Sequence, residues 1–432
     1  MATPYKIVIS PTDMGNFHKG DYNTAAAAKA SEALQNNLER WTIIFTGLRH
    51  SLDHIVHCIL TILALGATPE EIQKNYDREA SYQKPRYPID EDVVEAIADK
   101  AKFNEYLSQQ PHYSNFLLFF QREIGAKGVR RTLEEHVFAD TEHAKRLFAL
   151  LYCGIFHPYL HLGYAFEFNQ PALVAEALAM ACVHEPDQEQ MGRLYNDAEN
   201  LAGGSRQPGK KTLRQIMEEM RDNEALRTSS EGNNKIDRSK NVADNAAQEM
   251  INYAAQYSIS DGQLEERVNE MIDTCSLLIA SKPSSIKDEQ PYKIDFFLLH
   301  SVNTLCLMPT LINHQWISRE NSVRLMEWAG RCHLLNYMSQ TAPPISPAVI
   351  DNYPLKLDWD QIFDRAINHP SDDGHLQKCI RSLAFGQKIM SDKYVKGEYQ
   401  VKPGSWLRFA NMVTDLVPWE SKTSPERWLL SF

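Results

Sequence analysis

In the stretch Trp41-Thr-Ile-Ile-Phe-Thr-Gly-Leu-Arg-His-Ser-Leu-Asp-His-Ile-Val-His-Cys-Ile-Leu-Thr-Ile-Leu-Ala-Leu65, apolar residues recur at helical spacing: Ile44, Leu48, Ile55, Ile59 and Ile62. Steps of three, four and seven residues line one face of a helix, whereas a strand would alternate. Gly66 reads as a helix stop, and Thr68-Pro-Glu-Glu71 as an N-cap with proline at the first helical position. The same pattern predicts helices near Asp92–Leu107, Tyr113–Ile124, Thr141–Leu151, Ala172–Val183, Leu264–Ala280, Ile294–Leu311, Ser322–Tyr337 and His375–Met390. Lys6 to Ser10 is the one candidate strand. The expected fold is therefore all-α, a multi-helix globular bundle.

Composition agrees with a folded globular chain. Of 432 residues, 43% are hydrophobic and 23% charged, enough to bury a real core. The net charge of −11 argues against nucleic acid and against anionic membrane surfaces as partners. The most apolar run, Ile55 to Ala67, is too short to span a bilayer. The seven cysteines are scattered, with no Cys-x-x-Cys pair, so reduced core thiols and a cytoplasmic location are expected. The segment Met1–Ser10 lacks the features of a signal peptide. The reading is one domain over 1–432, with a loop-rich, polar stretch at about 203–240 that could be a flap or a plain surface excursion. The oligomeric state is not legible.

Several catalytic signatures are missing. There is no Gly-x-Gly-x-x-Gly turn, Walker loop, Gly-x-Ser-x-Gly elbow or His-Glu-x-x-His helix. The 15 histidines carry the chemistry instead. His50, His54 and His57 fall on one face of the helix expected over Trp41–Leu65. His157 and His161 sit in a nearly apolar segment, with Pro158 placing His157 at a helix start. His300 ends the run Phe296-Phe-Leu-Leu299, and His375 opens a helix on which Lys378 shares its face.

Imidazoles from several helices can converge on iron, zinc, copper or nickel in a bundle core. Each could equally be a core histidine bonded to a backbone carbonyl. Four apolar segments each burying an unpaired imidazole would lose about 1–3 kcal/mol apiece, which favours a shared site. Lys378 as an ammonium would repel a cation. A neutral amine there could instead take up carbon dioxide and become a carbamate oxygen donor, and a solvated surface lysine is the plainer alternative.

Taken in order, the segments resemble the questin oxidase family. They are Asp53-His-Ile-Val-His57 with Leu63-Ala-Leu-Gly-Ala67, Tyr113-Ser-Asn-Phe-Leu-Leu-Phe-Phe120, His157-Pro-Tyr-Leu-His-Leu-Gly-Tyr164, Ala175-Glu-Ala-Leu-Ala179, His300 and Asp373-Gly-His-Leu-Gln-Lys378. Together they span roughly residues 40–390. The family pattern often reads Asn-His at Asp53-His54 and His-His at His57-Cys58, so this chain departs from it twice.

The resemblance implies an oxygenase of polyketide biosynthesis that opens the quinone ring of a hydroxyanthraquinone with dioxygen. It implies iron(II) held by His54, His157, His300 and His375, with Lys378 as a candidate carboxylated ligand. His57 and His161 would either support the ligand imidazoles from behind or face substrate, and Asp53 could orient a ligand imidazole. Two other readings stay open: an NADPH-dependent Baeyer–Villiger-type monooxygenase on the same substrate class, and a helical ligand-binding protein without chemistry.

Overall fold

The structure is a computed structural model and describes all residues except 11–12, 22, 45–51, 185–186, 206–208, 233–237, 282–293, 396–397 and 418–432. Its regular elements are helices, and the described residues contain no sheet, only isolated bridges such as Trp41 to Pro85 and Ile44 to Leu52. No helix among them is long and apolar enough to cross a membrane. All seven cysteines are buried and free. The chain divides into two compact units, Met1–Gly192 with His314–Trp316, and Arg193–Asn313 with Ile317–Phe432.

In the first unit the helices that matter are Ile55–Ala64, Tyr113–His136, His157–Glu167 and Pro171–Cys182. Helix Pro171–Cys182 is apolar and buried almost all round, as a central helix must be. Its alanines let helices Tyr113–His136 and His157–Glu167 come close on either side. The expected N-cap at Thr68 is present, with Pro69 opening helix Pro69–Ala80, and Glu71 completes a capping box that the sequence reading did not name.

Two sequence expectations need correction in this unit. The helix expected from Trp41 begins only at Ile55. Upstream, Trp41 and Ile44 sit in antiparallel bridges, and His50 lies outside the described residues. The β-branched run Thr42-Ile-Ile44 disfavours helix locally. Asp53 Oδ1, accepting from the Ile55 N–H at 2.8 Å, then makes a start signal hidden inside the apolar periodicity.

The candidate strand is not a strand. Side chains, not a partner strand, meet its backbone polar groups. Ile7 N donates to Gln35 Oε1 at 2.8 Å, Ile9 N to Ser31 Oγ at 2.9 Å, and Val8 exchanges two bonds with the Gln170 amide at 3.0 and 2.9 Å.

In the second unit, helix His375–Met390 packs against Phe296–Asn303, Trp359–Ile367 and Ser405–Leu416. Gly386 permits the last of these contacts, because a Cβ there would stand 2.3 Å from the Trp406 ring. The 203–240 stretch is largely helical where described. Helix Leu213–Asp222 buries Leu213, Ile216, Met217 and Met220 and packs on Arg319–Ser339. Parts of the polar loops flanking it, at 206–208 and 233–237, lie outside the described residues.

Candidate metal centre

In the first unit, His54 caps helix Ile55–Ala64 and His157 opens helix His157–Glu167. Their Nε2 atoms lie 2.8 Å apart, with both rings buried. The chain reaches His157 through an unusual turn in which Gly154, Ile155 and Phe156 all have positive φ (57°, 54° and 66°). A β-branched residue in that region is strained. The turn aims the Gly154 carbonyl back at His157 Nδ1, 2.6 Å away. A carbonyl only accepts, so His157 carries its proton on Nδ1 and presents the Nε2 lone pair to His54.

Behind this pair lies a buried polar layer. The His57 ring is 6.0 Å from both His54 and His157 and stacks on Tyr164 at 5.1 Å. The Tyr164 hydroxyl meets Thr61 Oγ1 at 2.6 Å. His161, 5.3 Å from His57, bonds through Nε2 to Glu176 at 3.4 Å, and the Tyr113 hydroxyl donates to the other Glu176 oxygen at 3.4 Å. Burial raises the Asp53 carboxyl to about 7, against the lowering effect of its bonds to Ile55 and Asn37. Asp53 thus serves the helix start, and Glu176 also raises its proton affinity by like charge.

In the second unit, His300 and His375 are completely buried, with their Nε2 atoms 3.1 Å apart. His300 Nδ1 donates to the Phe296 carbonyl at 2.8 Å, one turn back in its own helix. His375 Nδ1 bonds the Asp373 carboxylate. Both outer nitrogens are therefore committed as donors, and two Nε2 lone pairs face each other when both rings are neutral. That arrangement is repulsive until a proton or a cation lies between them. Neutral imidazole with its second nitrogen tied to a carbonyl or carboxylate is the form that ligates metals, so the residues present fit an ion such as iron(II).

The Asp372 carboxylate accepts from the backbone N–H groups of Gly374, Leu376 and Gln377 at 3.1, 2.9 and 3.3 Å, fixing the first turn that carries His375. The Phe296 ring closes over both imidazoles at 4.8 and 4.9 Å. Lys378 follows one turn after His375 on the same helix and is buried.

A separate cluster in the first unit brings ligand atoms of Glu123, Glu135 and His136 within 4.8 Å of one another, a set capable of holding an ion. The Lys127 ammonium pairs with both carboxylates and supplies positive charge there already. His136 bridges Glu123 and His143 at 2.9 Å on each side, so this cluster is satisfied without a metal.

The sequence-selected histidines are thus brought together pairwise, His54 with His157 and His300 with His375. Sequence reasoning missed Glu176, Asp372 and the Gly154–Phe156 turn. Of the aromatic residues around His157, Tyr159 stacks on Tyr152 at 5.1 Å inside the core. Phe166 is half-buried and meets His314 and Trp316 at 4.8 and 5.7 Å.

Comparison with known proteins places the whole chain in a family. The chain is 34% identical over 426 residues to the questin oxidase of Aspergillus terreus, covering 96% of this chain and 93% of that protein. It is 34% identical over 426 residues to the Baeyer–Villiger monooxygenase dmxR6 of Cryptosporiopsis sp., covering 95% and 93%. It is 32% identical over 395 residues to the Baeyer–Villiger oxidase ptaJ of Pestalotiopsis fici, covering 89% and 87%. Residues 52–383, which include His54, His57, His157, His161, His300 and His375, match a family described as questin oxidase-like. The chain belongs to the questin oxidase-like family and is an oxidoreductase.

Proposed function

We propose that this chain is a metal-assisted oxygenase that opens a ring of an anthraquinone-class polyketide, with a Baeyer–Villiger-type outcome. The observation that carries the metal is the His300–His375 pair, whose outer nitrogens are both committed as donors. The outcome rests on the relatives, of which one is named for questin and others for Baeyer–Villiger chemistry. Those names favour insertion of one oxygen atom beside a ring carbonyl. In that balance dioxygen gives one atom to the product and one to water, and NADPH supplies the two electrons. A dioxygenase-type cleavage would place both atoms in the product without NADPH.

The donor set proposed for one iron(II) is His54, His157, His300 and His375, with Lys378 as a carboxylated ligand. Support comes from each pair within its own unit and from the ordered motifs of the sequence. Bound iron(II) would supply one-electron chemistry toward dioxygen. The protein's own part is to hold each imidazole in one tautomer and to keep water away. Gly154 O and Phe296 O hold His157 and His300 by their Nδ1 protons, and Asp373 holds His375. His57 and His161 are the proposed groups for the hydroxyls of the substrate.

Turnover of 1,8-dihydroxyanthraquinone-type substrates under 18O2, with NADPH consumption followed, tests the reading. One labelled atom per ring-opened product with one NADPH consumed supports it. Two labelled atoms without NADPH would shift it to dioxygenase chemistry, and no ring opening of any such substrate would overturn it.

A further inference from the structure

We infer that Glu176 and His161 form a proton-accepting dyad for a phenolic hydroxyl of the substrate, with Glu176 as the positioning residue. The inference deepens the proposed function and rests on it for the nature of the substrate. Both side chains are buried, at 1% and 0% exposure. The His161 Nε2–H points to Glu176 Oε2 at 3.4 Å, and Tyr113 holds the other oxygen of that carboxylate. With its proton on Nε2, His161 presents a lone pair on Nδ1. That atom is buried and has no hydrogen-bond partner among the described residues.

A bare buried acceptor is unfavourable unless a ligand or water fills it. His161 lies one turn beyond His157 on the same helix face, beside the His57 ring. An O–H donor of an aromatic substrate would supply the bond that Nδ1 lacks. The hydroxyl proton passes to Nδ1, so one O–H bond breaks and one N–H bond forms. The imidazolium keeps its Nε2–H on Glu176, whose negative charge offsets the new positive one, and the substrate is left as an electron-rich phenolate. This is the orientation-and-charge role that a carboxylate plays behind a basic histidine elsewhere.

Long-range 1H–15N spectra of the full chain labelled at histidine test the dyad without turnover. The His161 signals are assigned from a His161→Asn variant. The expected wild-type state is the Nε2–H tautomer. Anaerobic 1,8-dihydroxyanthraquinone should move the Nδ1 resonance toward the protonated position, and Glu176→Gln should abolish that shift and the tautomer preference while leaving the melting temperature near wild type. In turnover, His161→Asn should lower kcat by roughly 10²-fold or more with a smaller change in KM. An Nδ1–H tautomer in the wild type, or an unchanged tautomer and probe shift in Glu176→Gln, overturns the dyad. Loss of the ring-opening reading alone would show as absent turnover with the tautomer intact.

Discussion

The Asp373 carboxylate accepts from the Nδ1–H of His375, so it decides which nitrogen of that ring carries the proton. Replacing it by Asn leaves an amide of nearly the same shape whose NH2 could meet Nδ1 as a donor. The ring would then have reason to carry its proton on Nε2, the wrong nitrogen for a metal. Asp373→Asn should weaken iron(II) retention by roughly 10- to 100-fold, read by competition with a chelator of known affinity. Unchanged retention would remove Asp373 from the account. At this scale the sequence was informative about which histidines are buried together in pairs, because imidazoles in apolar runs stand out. It was silent about tautomers, since Gly154 O and Phe296 O are backbone acceptors that no side-chain pattern announces.

Helices place these groups, and their ends carry the specificity. Gly154 combines a φ of 57° with a Cβ position only 2.3 Å from the His184 ring. Gly154→Ala should therefore destabilise the chain by about 1–2 kcal/mol from the left-handed backbone alone, with the steric clash adding to it. Denaturant titration measures the loss, and a variant as stable as wild type would show that the turn can be rebuilt. Glu270 offers a second test at helix scale. Its carboxylate accepts from Leu213 N at 2.7 Å, at the start of helix Leu213–Asp222, and burial raises its pKa to about 7.

The folded state thus binds the Glu270 proton more tightly than the unfolded state, so this group makes stability fall as pH rises from about 4.5 to about 7. Glu270→Gln keeps an acceptor for Leu213 and cannot ionise. Its stability relative to wild type should rise across that window, and a gap independent of pH would contradict the assignment. Helix interiors were readable from periodicity, as at Pro171–Cys182. The start at Ile55 was not, because the apolar spacing gives no sign of the start signal that Asp53 supplies.

Across the whole molecule, family membership accounts for the order of the histidine motifs, and the all-α architecture follows from helical periodicity throughout. The division into two units was not legible, because apolar helices read alike whichever core they enter. An ion bound by the native chain and not by the unfolded one raises stability by mass action, about 2.7 kcal/mol at a hundredfold excess over the dissociation constant. Adding iron(II) anaerobically to chelator-stripped protein should raise the melting temperature in the wild type and not in a His300→Ala variant. Equal responses would mean that the ion binds elsewhere in the chain.

Elemental analysis of the chain purified without a histidine tag, wild type beside His300→Ala, asks whether these buried imidazoles hold a metal. Near-stoichiometric iron is expected in the wild type and a large loss in the variant. A wild-type chain without metal that takes up no iron(II), or a variant that keeps its full content, would contradict metal binding by these residues.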